Sequence, residues 1–425
     1  MSSVASLADG TLALTCSIAA GATLGVIARP WRLPEYIWAV TGALLLVVLG
    51  LLPWREALAA AGKGTDVYLF LIGMMLLAEV ARAQQLFAWL ASHAARLARG
   101  SARRLFLIVY LVGILVTVFL SNDATAVVLT PAVYAAARAA GVEPLPYLLI
   151  CAFIANAASF VLPISNPANL VVFGDRMPAL GEWLRLFTLP SLVAIVATYV
   201  ALRWTQRSAL RQPMRGEIAR VALPAGGIVA AAGIVLTALV LTYASARGWD
   251  LGLPTFVAGA LVAVVVMAIG RIPPMQIMRG VSWSVLPLVA GLFVLVEGLN
   301  RTGLLPALAR LLREAAAASP LATAWGAGLA VAFGSNLVNN LPMGLIAATT
   351  TAAASAPPLV TAAVLIGVDL GPNLSVTGSL ATILWLIALR REGEHVSALR
   401  FLAIGWIVMT PALLLALAAL SAAAP

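Results

Sequence analysis

The chain has 425 residues, 62% of them hydrophobic and only 10% charged, with a mean hydropathy of +1.03. That balance excludes a soluble globular domain and describes an all-α polytopic membrane protein. The formal charge of +10 does not describe a nucleic-acid binder either, because the 26 basic residues, all arginine except Lys63, are scattered through short loops between apolar runs.

Spanning hydrocarbon takes about 20 apolar residues, and runs near that length recur along the whole sequence. The first, Thr11 to Ala28, follows an acidic lead-in, which predicts a retained span instead of a cleaved signal peptide. Spans near 35–52 and 66–82 come next, then an arginine-rich amphipathic stretch over 83–100. Two apolar arms near 105–120 and 125–138 meet at Ser121-Asn122-Asp123, and spans near 146–173 and 184–203 complete this half. The segment RWTQRSALRQPMRGEIAR (203–220) reads as a cytoplasmic linker whose arginines are topology signals. The second half repeats the order: spans near 222–245, 253–270 and 285–300, arms meeting at Asn339-Asn340, then 359–389 and 401–420.

The two halves share sequence. An offset of 218 lays Gly73 over Gly291, Glu79 over Glu297, Asn122 over Asn340 and the run 35–52 over 253–270. After a small gap, NAASFVLPISNPANL (156–170) falls against DLGPNLSVTGSLATI (369–383). The predicted repeats are 1–203 and 220–425 around a linker at 204–219, with hairpins at 103–140 and 320–356 and broken helices at 146–173 and 359–389. If each pair of arms is a re-entrant hairpin, each half crosses five times, giving about ten spans and two hairpins in inverted repeats, or twelve spans if the hairpins are counted as spans. This topology puts 18 basic residues on one side and 8 on the other, so the positive-inside bias makes the richer side cytoplasmic and leaves both termini outside.

Polar residues inside these apolar runs mark the candidate site. A carboxylate at the bilayer centre costs roughly 2.5–3.5 kcal/mol on insertion scales, so Asp123 in FLSNDATAVVLTP is unlike an idle residue. Pro163 and Pro167 interrupt one span among Ser165, Asn166 and Asn169, and Gly371, Pro372 and Gly378 interrupt another beside Asn373, Thr377 and Ser379. Proline removes a backbone donor and clashes with the preceding turn, so both helices should break. Open backbone is tolerated in lipid only against protein or a wet cavity, which predicts that two tips and two breaks share one cavity. Half-helix N-termini aimed there favour oxygen-rich or partly anionic ligands. Any one of these residues reads equally well as interhelical glue worth about 0.6 kcal/mol; the matched set in both halves does not. Glu79 and Glu297, near span ends, read as structural or functional alike, with Arg82 one turn from Glu79.

FLSNDATAVVLTP, NAASFVLPISNPANL, NNLPM and above all GVDLGPNLSVTGSLATILWL resemble the arsenite/antimonite efflux pumps, the ArsB family of the ion transporter superfamily, over essentially the whole chain. The resemblance implies export of trivalent arsenic and antimony hydroxides driven by inward proton movement. It also implies a bacterial inner-membrane location, a scaffold with a mobile transport region, and no cofactor. An arsenical ATPase subunit and a homodimer are the protein partners it allows. Arsenite is mostly an uncharged trihydroxide at neutral pH, which suits amides and hydroxyls that donate or accept. The substrate-binding candidates are Ser121, Asn122, Thr125, Asn156, Ser165, Asn166, Asn339, Asn340, Asn373, Thr377 and Ser379. Asp123 and Asp369 are the proton-coupling candidates, because burial in an apolar setting favours a carboxyl group that can take up a proton. Asp369 has a rival role as a helix cap. A thiolate cage for arsenic is impossible within one chain, since Cys151 alone lies near the breaks, far in sequence from Cys16.

The rival readings are a sodium/proton antiporter or a sodium-coupled carboxylate or sulfate carrier of the same superfamily. A dianion carrier wants fixed positive charge, and the polar motifs hold no arginine or lysine. Neither HExxH nor a phosphate-cradling GxxxxGK[ST] occurs, and His93 and His395 lie in arginine-rich segments, which speaks against a membrane enzyme.

Overall fold

A computed structural model describes residues 2–214 and 221–423; residues 215–220 of the expected linker, with Arg215 and Arg220, lie outside the described residues. Helices dominate because each backbone N–H and C=O in hydrocarbon needs a partner within its own segment. Among the described residues there is no strand beyond an isolated bridge between Ser101 and Pro213.

The first half runs through α1 (Ser2–Ala28), α2 (Glu35–Val48), α3 (Trp54–Gly62), α4 (Thr65–Ala83), α5 (Leu86–Leu97) and α6 (Ala102–Phe119). It continues with α7 (Asn122–Ala124), a π-helical turn over Thr125–Leu129, α8 (Thr130–Ala139), α9 (Leu145–Ala157), α10 (Pro167–Phe173) and α11 (Leu180–Thr205). The second half comprises α12 (Ala225–Ala246), α13 (Gly252–Gly270), α14 (Pro274–Gly280), α15 (Val285–Arg301), α16 (Leu304–Ala318) and α17 (Pro320–Val338). It ends with α18 (Asn340–Ala354), α19 (Pro358–Leu370), α20 (Leu380–Arg391) and α21 (Ala398–Ala423). Helix starts recur at the sequence offset: α5 and α16 at 86 and 304, α6 and α17 at 102 and 320, α11 and α21 at 180 and 398.

Among the described residues eight helices are long and apolar enough to cross a membrane, or nine if α3 and α4, bent by 47°, count as one span. This length-based count differs from the expected ten spans plus hairpins for three physical reasons, the first being that α2 has only 14 residues and α4 qualifies only together with α3. The expected spans at 146–173 and 359–389 are each divided, so α9 and α19 have only 13 residues apiece and the chain resumes as α10 and α20. Conversely α6 and α17, expected as hairpin arms, have 18 and 19 residues. At 1.5 Å per residue each is about 27 Å long, close to the hydrocarbon thickness.

The halves interlock. α4 packs against α13, and α15 against α2. Both crossings depend on missing side chains: a Cβ on Gly73 would lie 2.8 Å from the Phe256 amide nitrogen, and one on Gly291 would lie 2.8 Å from the Ala39 carbonyl carbon. In lipid, helix association gains from such close backbone approach rather than from the hydrophobic effect. The two matched glutamates are held in ion pairs: Glu79 accepts from Arg82 Nε at 2.8 Å, and Glu297 from Lys63 Nζ at 2.7 Å. Arg301 reaches Glu56 at 2.5 Å beside the second pair. These contacts favour the structural role for both glutamates, where α1–α4 pack against α12–α15.

Candidate functional site

Each hairpin turns on one capped residue. In the first, α6 ends at Phe119, and Ser121 Oγ accepts the Ala124 N–H at 3.2 Å to start the returning arm. In the second, Asn339 Oδ1 accepts the Leu341 N–H at 3.4 Å, with Asn339 itself at φ 74°. Ser121 and Asn339 are 218 residues apart, so the same position caps both arms. A side-chain oxygen here satisfies one of the orphan donors of a helix start. The first arm then widens into a π turn, where Thr125 Oγ1 meets Thr117 Oγ1 at 2.8 Å. Such turns leave helical backbone locally irregular and often mark functional positions. Asn122 and Asn340 are both buried, whereas Asp123 is half-buried at the first tip.

The expected breaks are present, and polar side chains close their open backbone. Asn169 Nδ2 donates to the carbonyls of Ser159 at 2.9 Å and of Leu162 and Pro163 at 3.2 Å. Asn166 caps α10 by accepting the Ala168 N–H at 3.0 Å, and Ser379 caps α20 by accepting the Thr382 N–H at 3.1 Å. Each break is also fastened to the neighbouring tip. Ser165 Oγ donates to the Val118 carbonyl at 3.1 Å, and Thr377 Oγ1 donates to the Asn336 carbonyl at 3.0 Å. Val118 and Asn336 are again 218 apart, each three residues before its cap. The second tip is tied further by Asn340 N–H to the Gly378 carbonyl at 2.9 Å and by Asn339 Nδ2 to the Thr377 carbonyl at 3.3 Å.

The breaks of the two halves bond to each other. Asn156 Nδ2 donates to Asn373 Oδ1 at 3.0 Å, Asn373 Nδ2 donates to the Phe153 carbonyl at 3.0 Å, and Asn166 Nδ2 donates to Asp369 Oδ1 at 2.8 Å. The first hairpin packs on α20 and the second on α10, so each tip element leans on the opposite half. Asp369 lies in the last turn of α19, fully buried, which removes its rival role as an N-terminal cap. The N-termini of α7, α10, α18 and α20 all start within this assembly, and each carries a partial positive charge.

Four buried acceptors in this assembly accept no hydrogen bond among the described residues: Asp369 Oδ2 and the Oδ1 atoms of Asn156, Asn169 and Asn340. Ser159 Oγ, the hydroxyl neighbouring Asp369, donates to the Asn156 carbonyl at 2.8 Å instead. A buried acceptor left bare costs on the order of 1–3 kcal/mol, so four in one region mark a place that receives donors. Asn169 carries most of the first break. Asn336, a hub that donates to the Ala332 and Gly371 carbonyls at 2.8 and 2.9 Å and accepts Ser375 Oγ at 2.7 Å, is absent from the sequence-derived candidates. Its one signal in sequence is its place a helical turn before Asn339-Asn340, and the matching position in the first half is Val118.

Comparison with known proteins agrees with this architecture. Residues 23–368 match the model of the citrate transporter family, CitMHS. An arsenical pump membrane protein of Yersinia enterocolitica is 30% identical over 351 residues, covering 79% of this chain and 81% of its own. The chain belongs to the arsenical-pump family. An Escherichia coli arsenical pump membrane protein is 28% identical over 401 residues, covering 90% of this chain and 92% of its own. The crystal structure of the Alcanivorax borkumensis YdaH transporter, which has an unusual topology, shares the fold at a TM-score of 0.55, with 15% identity and 86% coverage of each chain. As an arsenical-pump family member the protein is a multi-pass membrane transporter and not an enzyme. Cys151 Sγ, buried in α9, faces its own Tyr147 carbonyl at 4.0 Å, which gives arsenic no thiolate cage.

Proposed function

We propose that this transporter exports arsenite and antimonite, as neutral trihydroxides, from the cytoplasm in exchange for protons. The carrying observation is the set of four bare acceptors, Asp369 Oδ2 and the amide oxygens of Asn156, Asn169 and Asn340. A trihydroxide brings three O–H donors and no charge, which complements acceptors that lack a cationic neighbour in the polar motifs. The arsenical pumps of Yersinia enterocolitica and Escherichia coli support the same substrate class by their names. In this reading Asp369 and Asp123 take protons from the outside and release them inward after the metalloid has left. The arginine-rich side faces the cytoplasm of a bacterial inner membrane, with both termini outside.

Bare carbonyl and carboxylate oxygens also suit a hard cation, so a sodium-coupled carrier is the second reading. Inverted membrane vesicles separate the two. Under an imposed pH gradient, arsenite accumulation is expected with or without sodium and should stop on adding an uncoupler. Accumulation that persists with the uncoupler, or that requires sodium, defeats the proton-exchange reading.

A further inference from the structure

A cavity of about 510 Å³, lined by none of the four residues with bare acceptors, opens among α10, α18 and α19. Val171, Arg176, Glu182, Phe293, Thr349 and Thr361 are among its lining residues. Five elements therefore meet there: the exit of the first broken helix, the start of α11, the returning arm of the second hairpin, the start of α19, and α15. Phe293 sits halfway along α15, so the cavity descends to the middle of that helix. From Leu345 to Ala352, both in its lining, is seven residues of α18, about 10 Å of helical rise. Two other clefts, one beside α11 and Pro411 and one between α16, α17 and α18, expose mostly apolar atoms. This cavity carries threonine hydroxyls, a guanidinium and a carboxylate, as water-filled passages do.

Its floor is apolar. Val171, Val172 and Leu345 line it, and Gly344 beside Leu345 has Val172 Cγ2 and Val368 Cγ1 each 3.6 Å from where its Cβ would stand. Val368 directly precedes Asp369, and Val172 lies one turn beyond Asn169. Val172 and Val368 thus link the floor to the helices that carry Asn169 and Asp369. Segments 172–182 and 352–358, which the basic-residue count places together on the arginine-poor face, line the same mouth.

We propose that this cavity is the outer mouth of the transport path, closed from the site by a gate of Val171, Val172 and Leu345, and that it receives small neutral polyhydroxy solutes on their way out. The solute class and the outward sidedness rest on the function and orientation proposed above; the cavity and its lining do not. Its hydroxyls offer weak, exchangeable hydrogen bonds, suited to passage rather than retention.

The test uses the full-length protein with Cys16 and Cys151 replaced by alanine, carrying Thr349→Cys or, separately, Thr361→Cys. A membrane-impermeant, positively charged methanethiosulfonate reagent is applied to intact cells and to inverted vesicles, and membrane levels of each variant are matched by immunoblot. Both cysteines are expected to react from outside in intact cells, and the adduct at 349 should cut arsenite export about tenfold, while Thr302→Cys, outside the cavity, should react without loss of export. Absence of reaction, reaction only in inverted vesicles, or an adduct at 349 that leaves export intact overturns the proposal. Labelling is read with no substrate present, so a chain that labels from outside but exports no arsenite would support the mouth while defeating the substrate assignment.

Discussion

Asp369 closes α19 with one carboxylate oxygen held by Asn166 and the other bare. A carboxylate in the last turn of a helix faces the negative end of that helix's dipole, an arrangement that costs stability and is retained where the group has work to do. Asp369→Asn keeps the shape and an oxygen for Asn166 but removes the proton site. Export under a pH gradient should fall by about tenfold or more, a loss of ~1.4 kcal/mol at least, with membrane abundance unchanged. Vesicle transport checks this, and export at the original rate would leave Asp369 without a coupling role. Asn166→Ala leaves the carboxylate short of a partner and uncaps α10, so folding should suffer by about 1–3 kcal/mol. Combining Asn166→Ala with Asp369→Ala should cost less than the two changes summed, because the bare charge is gone as well. Thermal melts of the three purified variants measure that non-additivity.

At the scale of elements, the broken helices persist because side chains replace the missing backbone partners. Asn169 alone serves three carbonyls of the first break. Asn169→Ala is therefore expected to lower the melting temperature in detergent by several degrees, since each carbonyl left bare costs about 1–3 kcal/mol. In the second half the close approach is different: a Cβ on Gly378 would stand 2.7 Å from Asn336 Oδ1, the oxygen that accepts Ser375. Gly378→Val should displace Asn336, free the tip at Thr377, and abolish export at normal expression; retained export would show that the tip tolerates the shift. Tips and breaks were legible in sequence because lipid penalises Asn, Asp and Pro so strongly that their clustering carries information. The partners inside the cluster were not, because hydrogen bonds to carbonyls follow from three-dimensional placement. Asn336 shows this: nothing in its local sequence tells a hub from interhelical glue. The depth of the arms is a separate matter, since hydropathy reports apolar length and not how far an arm penetrates.

For the molecule as a whole, the 218-residue offset read from weak sequence matches recurs in the starts of α5, α6 and α11 and in the capping and fastening contacts of both tips. The short helices α3 and α14 were not legible, being too brief for a hydropathy window. Orientation is a whole-molecule property, and the basic-residue asymmetry predicts a C-terminus outside. Alkaline phosphatase fused after Pro425 should be active in intact cells, and a green fluorescent protein fused there should be dark; the opposite pair of signals would reverse every sidedness assignment. The bonds joining Asn156 to Asn373 and Asn166 to Asp369 run between repeats, never within one. A gene encoding a single repeat would thus yield a polypeptide with an unsealed seam, and its sole remedy is to dimerise with a sibling. Splitting this gene in two should give fragments that are degraded when made separately and rescued when made together.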